Sequence, residues 1–282
     1  MENEFSVSMC VYGGDNAEQF GAAVGSVIRQ TLPPSEIVLA VDGPVPAETE
    51  EIIRKYERAA ADASISFQVI RLEKNMGHGE ARRVSFDRCR NSLIALMDAD
   101  DLSVPDRFEK QIRYFSEHPD VSAVGGNITE FISAPDPEDI SVKAGNRTVP
   151  ENDREIKEYM KKRCPMNQVT VMFRKEDVAE AGGYIDWYCE EDYYLWIRLA
   201  LAGRKFGNLP CNLVHVRVGK EMYRRRGGWK YFKSEARLQK YMLSRRMIGF
   251  PRYLLNVGER FILQVLLPDG ARGWLFRKLA RD

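Results

Sequence analysis

The stretch "LIALMDADDLSVPDRFEKQ", beginning at Leu93, sets an apolar run directly against Asp98, Asp100 and Asp101. Asp is a common turn and cap residue because its short side chain accepts from neighbouring backbone amides, so an isolated Asp-x-Asp is compatible with a plain turn. The spacing also permits metal chemistry. If the chain stays extended, Asp98 and Asp100 project to the same side and offer a hard, oxygen-only site for Mg²⁺ or Mn²⁺, ions that keep several waters and are completed by substrate phosphates. Unit charges about 4 Å apart interact by about 4 kcal/mol at an effective dielectric of ~20, so a cation between these acids and a diphosphate reverses the sign of a substantial energy. A second cluster, Glu190, Glu191 and Asp192, precedes an amphipathic run carrying Leu195, Trp196, Leu199 and Leu201. Acidic residues at a helix start are favoured by its dipole. A carboxylate there can also take a proton from a hydroxyl. His215 is a further candidate metal ligand, and Arg224, Arg225 and Arg226 beside Gly227 and Gly228 form a basic loop suited to phosphate.

The elements that must position these residues read as alternating strands and helices. Phe5 to Val11 alternates like a strand, Gly13, Gly14 and Asp15 turn the chain, and "NAEQFGAAVGSVIRQT" is helical. "EIVLAVDG", "SFQVIRL" and "LIALM" supply three more strands, separated by helices in "PAETEEIIRKYERAAAD" and "MGHGEARRVSFDRCR". Such alternation implies parallel pairing with right-handed crossovers, and ligands then gather beyond the carboxyl ends of the strands. Asp42 and Asp98 both follow strands at that edge. Ser103 is expected to cap the helix of "PDRFEKQIRYFSEH", with Pro105 in its first turn and Asp106 at the third position. "VSAVGGNITEF" follows as a strand, residues from about 134 to 152 as a loop or lid, and "VTVMFRK", "AGGYIDWYCEEDYYLWIRLALAG" and "CNLVHVRV" as a second structured part.

The 282 residues, 44% hydrophobic and 29% charged, are those of an ordinary folded protein. Five widely spaced cysteines without a CxxC pair indicate neither a disulfide framework nor a zinc site, and point to a reducing cytosol. The N-terminal "MENEFSVSMCVYGG" lacks a signal peptide's basic region and apolar core, and no apolar run approaches the roughly 20 residues of a spanning helix. Charge is divided unevenly. From Val216 to Asp282 there are 17 Lys and Arg against 5 Asp and Glu, a net of +12, which leaves −11 for the rest. The acidic body needs a cation before it can bind a polyanion, whereas the basic end can meet an anionic membrane surface directly. Its aromatic and aliphatic residues from Trp229 to Leu243 recur near helical spacing, as in an interfacial helix or an ordinary packed one. Nucleic acid is not an expected partner, since no binding motif accompanies the charge.

Four stretches in order, "SVSMCVYGGDNAEQFGAAVGSVIRQTLPPSEIVLAVDGPV", "LEKNMGHGEARR", "LIALMDADDLSVPDRFEKQ" and "EEDYYLWIRLALAG", make residues 5 to 230 resemble the family 2 glycosyltransferases that build bacterial capsular and exopolysaccharides. The resemblance implies the GT-A fold, a Rossmann-like α/β architecture whose mostly parallel central sheet is flanked by helices. A catalytic domain would span 1–215, with 1–103 nucleotide-binding and 104–215 facing the acceptor, followed by a basic helical extension over 216–282. Carried over by motif, Val11 and Tyr12 line the donor base and Asp42 contacts base or ribose. Asn75 and Gly77 precede the nucleotide-lining helix that holds Arg82 and Arg83. Asp98 lies between ribose and metal, Asp100 binds the metal, and Asp192 is the general base. Glu191 and Arg224 to Arg226 are candidates for diphosphate or acceptor contact.

The implied reaction is a metal-dependent, inverting transfer from a nucleotide-sugar, UDP ahead of dTDP or GDP. The acceptor is a saccharide or a polyprenyl-diphosphate-linked sugar, and the enzyme is peripheral on the cytoplasmic face of the membrane. Cys10, Gln168 and Tyr194 depart from the family pattern at positions often Pro, His and Asp. Two other readings remain open. A nicotinamide enzyme shares the acid after strand two but needs a G-x-G-x-x-G that "YGGDNAEQ" lacks. A non-catalytic subunit of the same fold could dock a polysaccharide assembly through its basic end.

Overall fold

The computed structural model describes residues 4–219 and 227–267. Strands β1 (Ser6–Tyr12), β2 (Glu36–Asp42), β3 (Ser66–Arg71) and β4 (Leu93–Met97) pair in parallel in the order β3-β2-β1-β4. Helices α1 (Ala17–Ile28), α2 (Ala47–Asp62) and α3 (His78–Arg88) cross between them. Both faces of β2 and β4 are covered, which explains their continuous apolar runs. β1 is buried as far as Val11 yet carries Ser6 and Ser8, whose hydroxyls bond Glu36 and Ser85. Asn16 caps α1 by accepting from Gln19 N at 3.0 Å.

Beyond β4 the sheet becomes mixed. β5 (Leu102–Ser103), α4 (Arg107–Glu117), β6 (Val121–Phe131), β7 (Lys143–Arg147) and α5 (Asp153–Met160) follow in order. A 3₁₀ turn at Gln168–Thr170 then leads to β8 (Met172–Arg174), α6 (Lys175–Glu180), α7 (Glu191–Leu201) and β9 (Lys205–Arg217). The strand order continues β4-β8-β6-β9-β5, with β7 on β6. β8 is antiparallel to both neighbours, whereas β6 and β9 run parallel.

Two expectations need correction here. Ser103 does not cap α4: it pairs with Val214 in the β5–β9 ladder, and the cap position falls to Asp106, which makes no side-chain cap bond. Gln30 serves the helix start from across the fold, accepting from Phe108 N at 3.3 Å and donating to Val104 O at 2.7 Å. Second, the 134–152 segment is not wholly loop, because Lys143–Arg147 forms a hairpin partner for β6.

Two cores flank the sheet. One gathers Phe5, Phe20, Phe108 and Phe115, and the other gathers Phe86, Phe173, Tyr193 and Trp196. The second extends into the C-terminal helical pair α8 (Trp229–Ser244) and α9 (Phe250–Phe261, continued by a π turn Ile262–Leu266), where α8 contributes Leu238 and Met242 and the turn between the helices contributes Ile248. No described helix is long and apolar enough to cross a membrane.

Candidate active site

At the carboxyl edge of the sheet, β1 ends with Val11 buried and Tyr12 exposed, and Asp15 holds the turn by accepting from Tyr12 N at 3.0 Å. Asp42, at the end of β2, receives Met76 N at 2.6 Å and Gly77 N at 3.0 Å. This is a clamp between two loops rather than a cap on Gly43. The approach is so close that a Cβ at Gly43, whose φ is +83°, would lie 2.6 Å from Asn75 N. Asn75 is thereby presented at the surface, and Gly77 opens α3 with φ +92°.

One turn into α3, Arg82 is wholly buried and donates to Ser8 O at 3.0 Å, Met97 O at 3.3 Å and the Asp98 carboxylate. Burial, the largest single influence, pulls its pKa down, but Asp98 together with Cys10, Tyr184 and Glu191 makes the net shift upward. Arg83 points away, paired with Glu80 and Asp87 on the surface.

The chain does not stay extended through the acidic loop, because a turn at Ala99 and Asp100 buries the alanine and exposes Asp100. Asp101 is buried and accepts from Arg217 N at 2.8 Å, while Arg217 Nε donates to Asp100 O at 2.8 Å. Burial pushes the Asp101 pKa well up, and Asp100 and Asp98 push it further. The three acids thus repel one another, a field that a divalent cation relieves. Their all-oxygen chemistry fits a hard divalent cation such as Mg²⁺ or Mn²⁺, which Asp98 and Asp100 could hold. His215 does not join them: among the described residues no group of three or more His, Cys, Asp or Glu is placed to hold a metal. It sits opposite Leu102 in the β5–β9 ladder, and burial, then Lys143, pull its pKa down. Paired residues in a ladder share a face, so His215 lies on the side of Leu102.

The second acidic cluster forms the start of α7. Glu190 turns inward, where burial, then Glu235 and Asp192, raise its pKa well above the usual carboxylate range. The Glu191 side chain is 13% exposed and lies 4.0 Å from His78 Nε2. Burial, followed by the Asp192 charge, pushes Glu191 up to about 7. Asp192 accepts from Tyr193 N at 2.6 Å and from Cys164 Sγ at 3.7 Å. Burial raises the Cys164 thiol, keeping it protonated as a donor. At the start of α3, a Cβ on Gly79 would lie 3.3 Å from Asp186 Oδ1 and 3.8 Å from Glu191 Cβ, so this helix end carries His78 and Arg82 against the start of α7. Asp98, Arg82, His78, Glu191 and Asp192 therefore belong to one neighbourhood. Arg224, Arg225 and Arg226 lie outside the described residues. Arg217 and Cys164 contact the two acidic clusters, and motif spacing does not reveal them; the one sequence sign is a charged residue closing the apolar strand "NLVHVR".

Residues 6–177 match the profile of Glycosyl transferase family 2, and residues 93–276 that of Glycosyl transferase family group 2. The amylovoran biosynthesis glycosyltransferase AmsE of Erwinia amylovora is 35% identical over 274 residues, 97% of this chain and 98% of that one. An Escherichia coli UDP-Gal:alpha-D-GlcNAc-diphosphoundecaprenol beta-1,3-galactosyltransferase is 31% identical over 278 residues, 99% and 97% of the two chains. Among solved structures, Pyrobaculum calidifontis mannosyltransferase PcManGT with GDP-Man and Mn²⁺ superposes with TM-score 0.64 at 13% identity, over 99% of this chain and 76% of that one. S. aureus TarS 1–349 with UDP-GlcNAc gives 0.63 at 15% identity, over 92% and 72%. At these identities the two structures establish the fold, which is that of GT-A glycosyltransferases.

Proposed function

The chain belongs to glycosyl transferase family 2 and is a glycosyltransferase, and from that premise we propose that it moves a sugar from a UDP-sugar to a polyprenyl-diphosphate-linked saccharide with inversion. The observation that carries this reading is the meeting of the two acidic clusters across the start of α3. The Escherichia coli relative, named for a UDP-sugar donor and a diphosphoundecaprenol-linked acceptor, supports the choice of both substrates, and AmsE supports a role in surface polysaccharide synthesis.

In this mechanism the base and ribose lie along Val11, Tyr12, Asp42 and the 75–77 loop, with Asp98 held in place by Arg82. The Asp98 and Asp100 carboxylates would hold Mg²⁺ or Mn²⁺, whose charge would offset the negative charge that grows on the departing diphosphate. Asp192 takes the proton from the acceptor hydroxyl as that oxygen attacks the anomeric carbon from the side opposite UDP. Cys164 donates to one Asp192 oxygen and leaves the carboxylate in a fixed orientation. Residues 1–103 serve the donor and 104–215 the acceptor. The enzyme works at the cytoplasmic membrane face, held there by Lys and Arg after about Lys220.

The test is a panel of nucleotide-sugars scored by UDP release and by transfer to a synthetic polyprenyl-diphosphate-linked sugar. The Asp192→Asn variant keeps UDP and Mn²⁺ binding by titration calorimetry but transfers about 10² or more slowly, the scale of losing a general base. Parent-like transfer by that variant eliminates Asp192 from the role.

A further inference from the structure

Helix α9 is built inside out. Its buried positions are Asn256 and Arg260, and one turn further the π segment buries Gln264. Two of them face the catalytic body, Asn256 donating to Lys161 O at 2.8 Å and Arg260 to Lys162 O at 2.6 Å, while Gln264 donates to the Glu235 carboxylate of α8. Arg260 is also paired with Glu235 at 3.0 Å. The opposite side of the same helix shows Phe250, Leu254, Leu255, Ile262 and Leu266 to the outside, each between 53% and 67% exposed. Trp229, also exposed, extends this surface by packing its ring 5.8 Å from that of Phe261. A helix facing water places its apolar stripe inward and its polar residues outward. Helix α8 buries Leu238 and Met242 beside Ser234, Glu235 and Gln239, whereas the fully buried positions of α9 are polar alone.

The exposed charges of the helical pair, carried by α8 and the turn after it, point to what covers this face. On the described part of the helical pair, the exposed charged side chains are Lys230, Lys233, Arg237, Lys240, Arg245 and Arg246 against a single acid, Glu259. An apolar strip with an aromatic margin and a basic surround fits an anionic lipid surface. We propose that α9 is an interfacial helix whose apolar face enters the headgroup layer of an anionic bilayer while its polar face stays fastened to the loop at Lys161 and Lys162. This deepens the membrane-face reading above and rests on it for the surface concerned. It differs in mechanism, since apolar insertion rather than charge alone holds the enzyme.

Co-sedimentation of the full chain with phosphatidylcholine vesicles, with and without phosphatidylglycerol, separates the two. The parent pellets with the anionic vesicles, and the triple variant Leu254→Ser, Leu255→Ser, Ile262→Ser loses at least about tenfold in partitioning, the scale of withdrawing exposed leucines from an apolar phase. UDP binding unchanged in that variant shows that it is folded. Parent-like pelleting of the triple variant overturns insertion; if about 0.5 M salt then releases both proteins, the electrostatic reading stands alone. Failure of the parent to pellet with either vesicle overturns both readings. A dimer in gel filtration that the triple substitution dissolves, without vesicle binding, assigns the face to a second copy. Pelleting that appears only after removal of residues 268–282 assigns it to that segment.

Discussion

Arg82 keeps its charge in the interior because Asp98 stands beside it, and each group therefore fixes the other. Removing one member of a buried pair leaves an uncompensated charge, a cost of about 3–5 kcal/mol when both are enclosed and less here, since Asp98 is 30% exposed. Asp98→Asn is accordingly expected to lower unfolding stability by about 1–3 kcal/mol, whereas the exposed Asp100→Asn stays within about 0.5 kcal/mol, as chemical denaturation will show. Equal effects would mean that Arg82 does not depend on Asp98. Reading the acidic loop as surface alone hides this difference, because a helix arginine in "GEARR" carries no sign of which of its two positions faces inward. Glu191 gives a second residue-level prediction. Its folded pKa of about 7 lies above the ordinary 4.5, so the folded chain holds the proton more tightly. The associated stability is therefore greatest below about pH 4.5 and is lost as pH climbs to about 7. Between pH 5 and pH 8 the parent should lose more stability in urea unfolding than Glu191→Gln, and matching losses would remove the burial argument.

Element by element, what the sequence makes legible is what depends on local periodicity. The four parallel strands and their helices follow from β-branched runs and 3.6-residue patterns, and the sheet edge that carries Asp42 and Asp98 follows from them. What distant pairing decides is not legible. Ser103 has the chemistry of a cap but is claimed by Val214 in the β5–β9 ladder, and "KAGNR" becomes β7 because β6 offers it an edge, with little apolar pattern of its own. The turn at Ala99 and Asp100 is likewise imposed from outside, by Arg217. That side chain also donates to Pro137 O at 2.7 Å, so the end of β9 joins the acidic loop to the segment after β6. Arg217→Ala removes the side-chain bonds and leaves the strand amide that Asp101 accepts. The expected outcome is a donor KM raised about tenfold, with Tm shifted by only a few degrees. A KM unchanged in steady-state kinetics would show that the loop keeps its shape without this bond.

For the molecule as a whole, the basic end is electrostatically distinct from the acidic body but is not mechanically separate. Leu238, Met242 and Ile248 are buried in the core that holds Trp196 and Tyr193, and each is worth roughly 1.5–3 kcal/mol of burial. Deleting residues 229–282 should therefore leave a protein that unfolds several degrees earlier and binds a hydrophobic dye, rather than a clean catalytic domain; an unchanged melting curve would refute that. The path of β9 carries one further consequence, for the protein while it is being made. Asp101 is bonded by a residue 116 positions downstream. At about 5–20 residues per second, the acidic loop leaves the ribosome roughly 6–23 s before the arginine that shapes it. A nascent chain thus displays its cluster of acids unrestrained, and it acquires a finished donor site only when the last strand of the sheet has been threaded home.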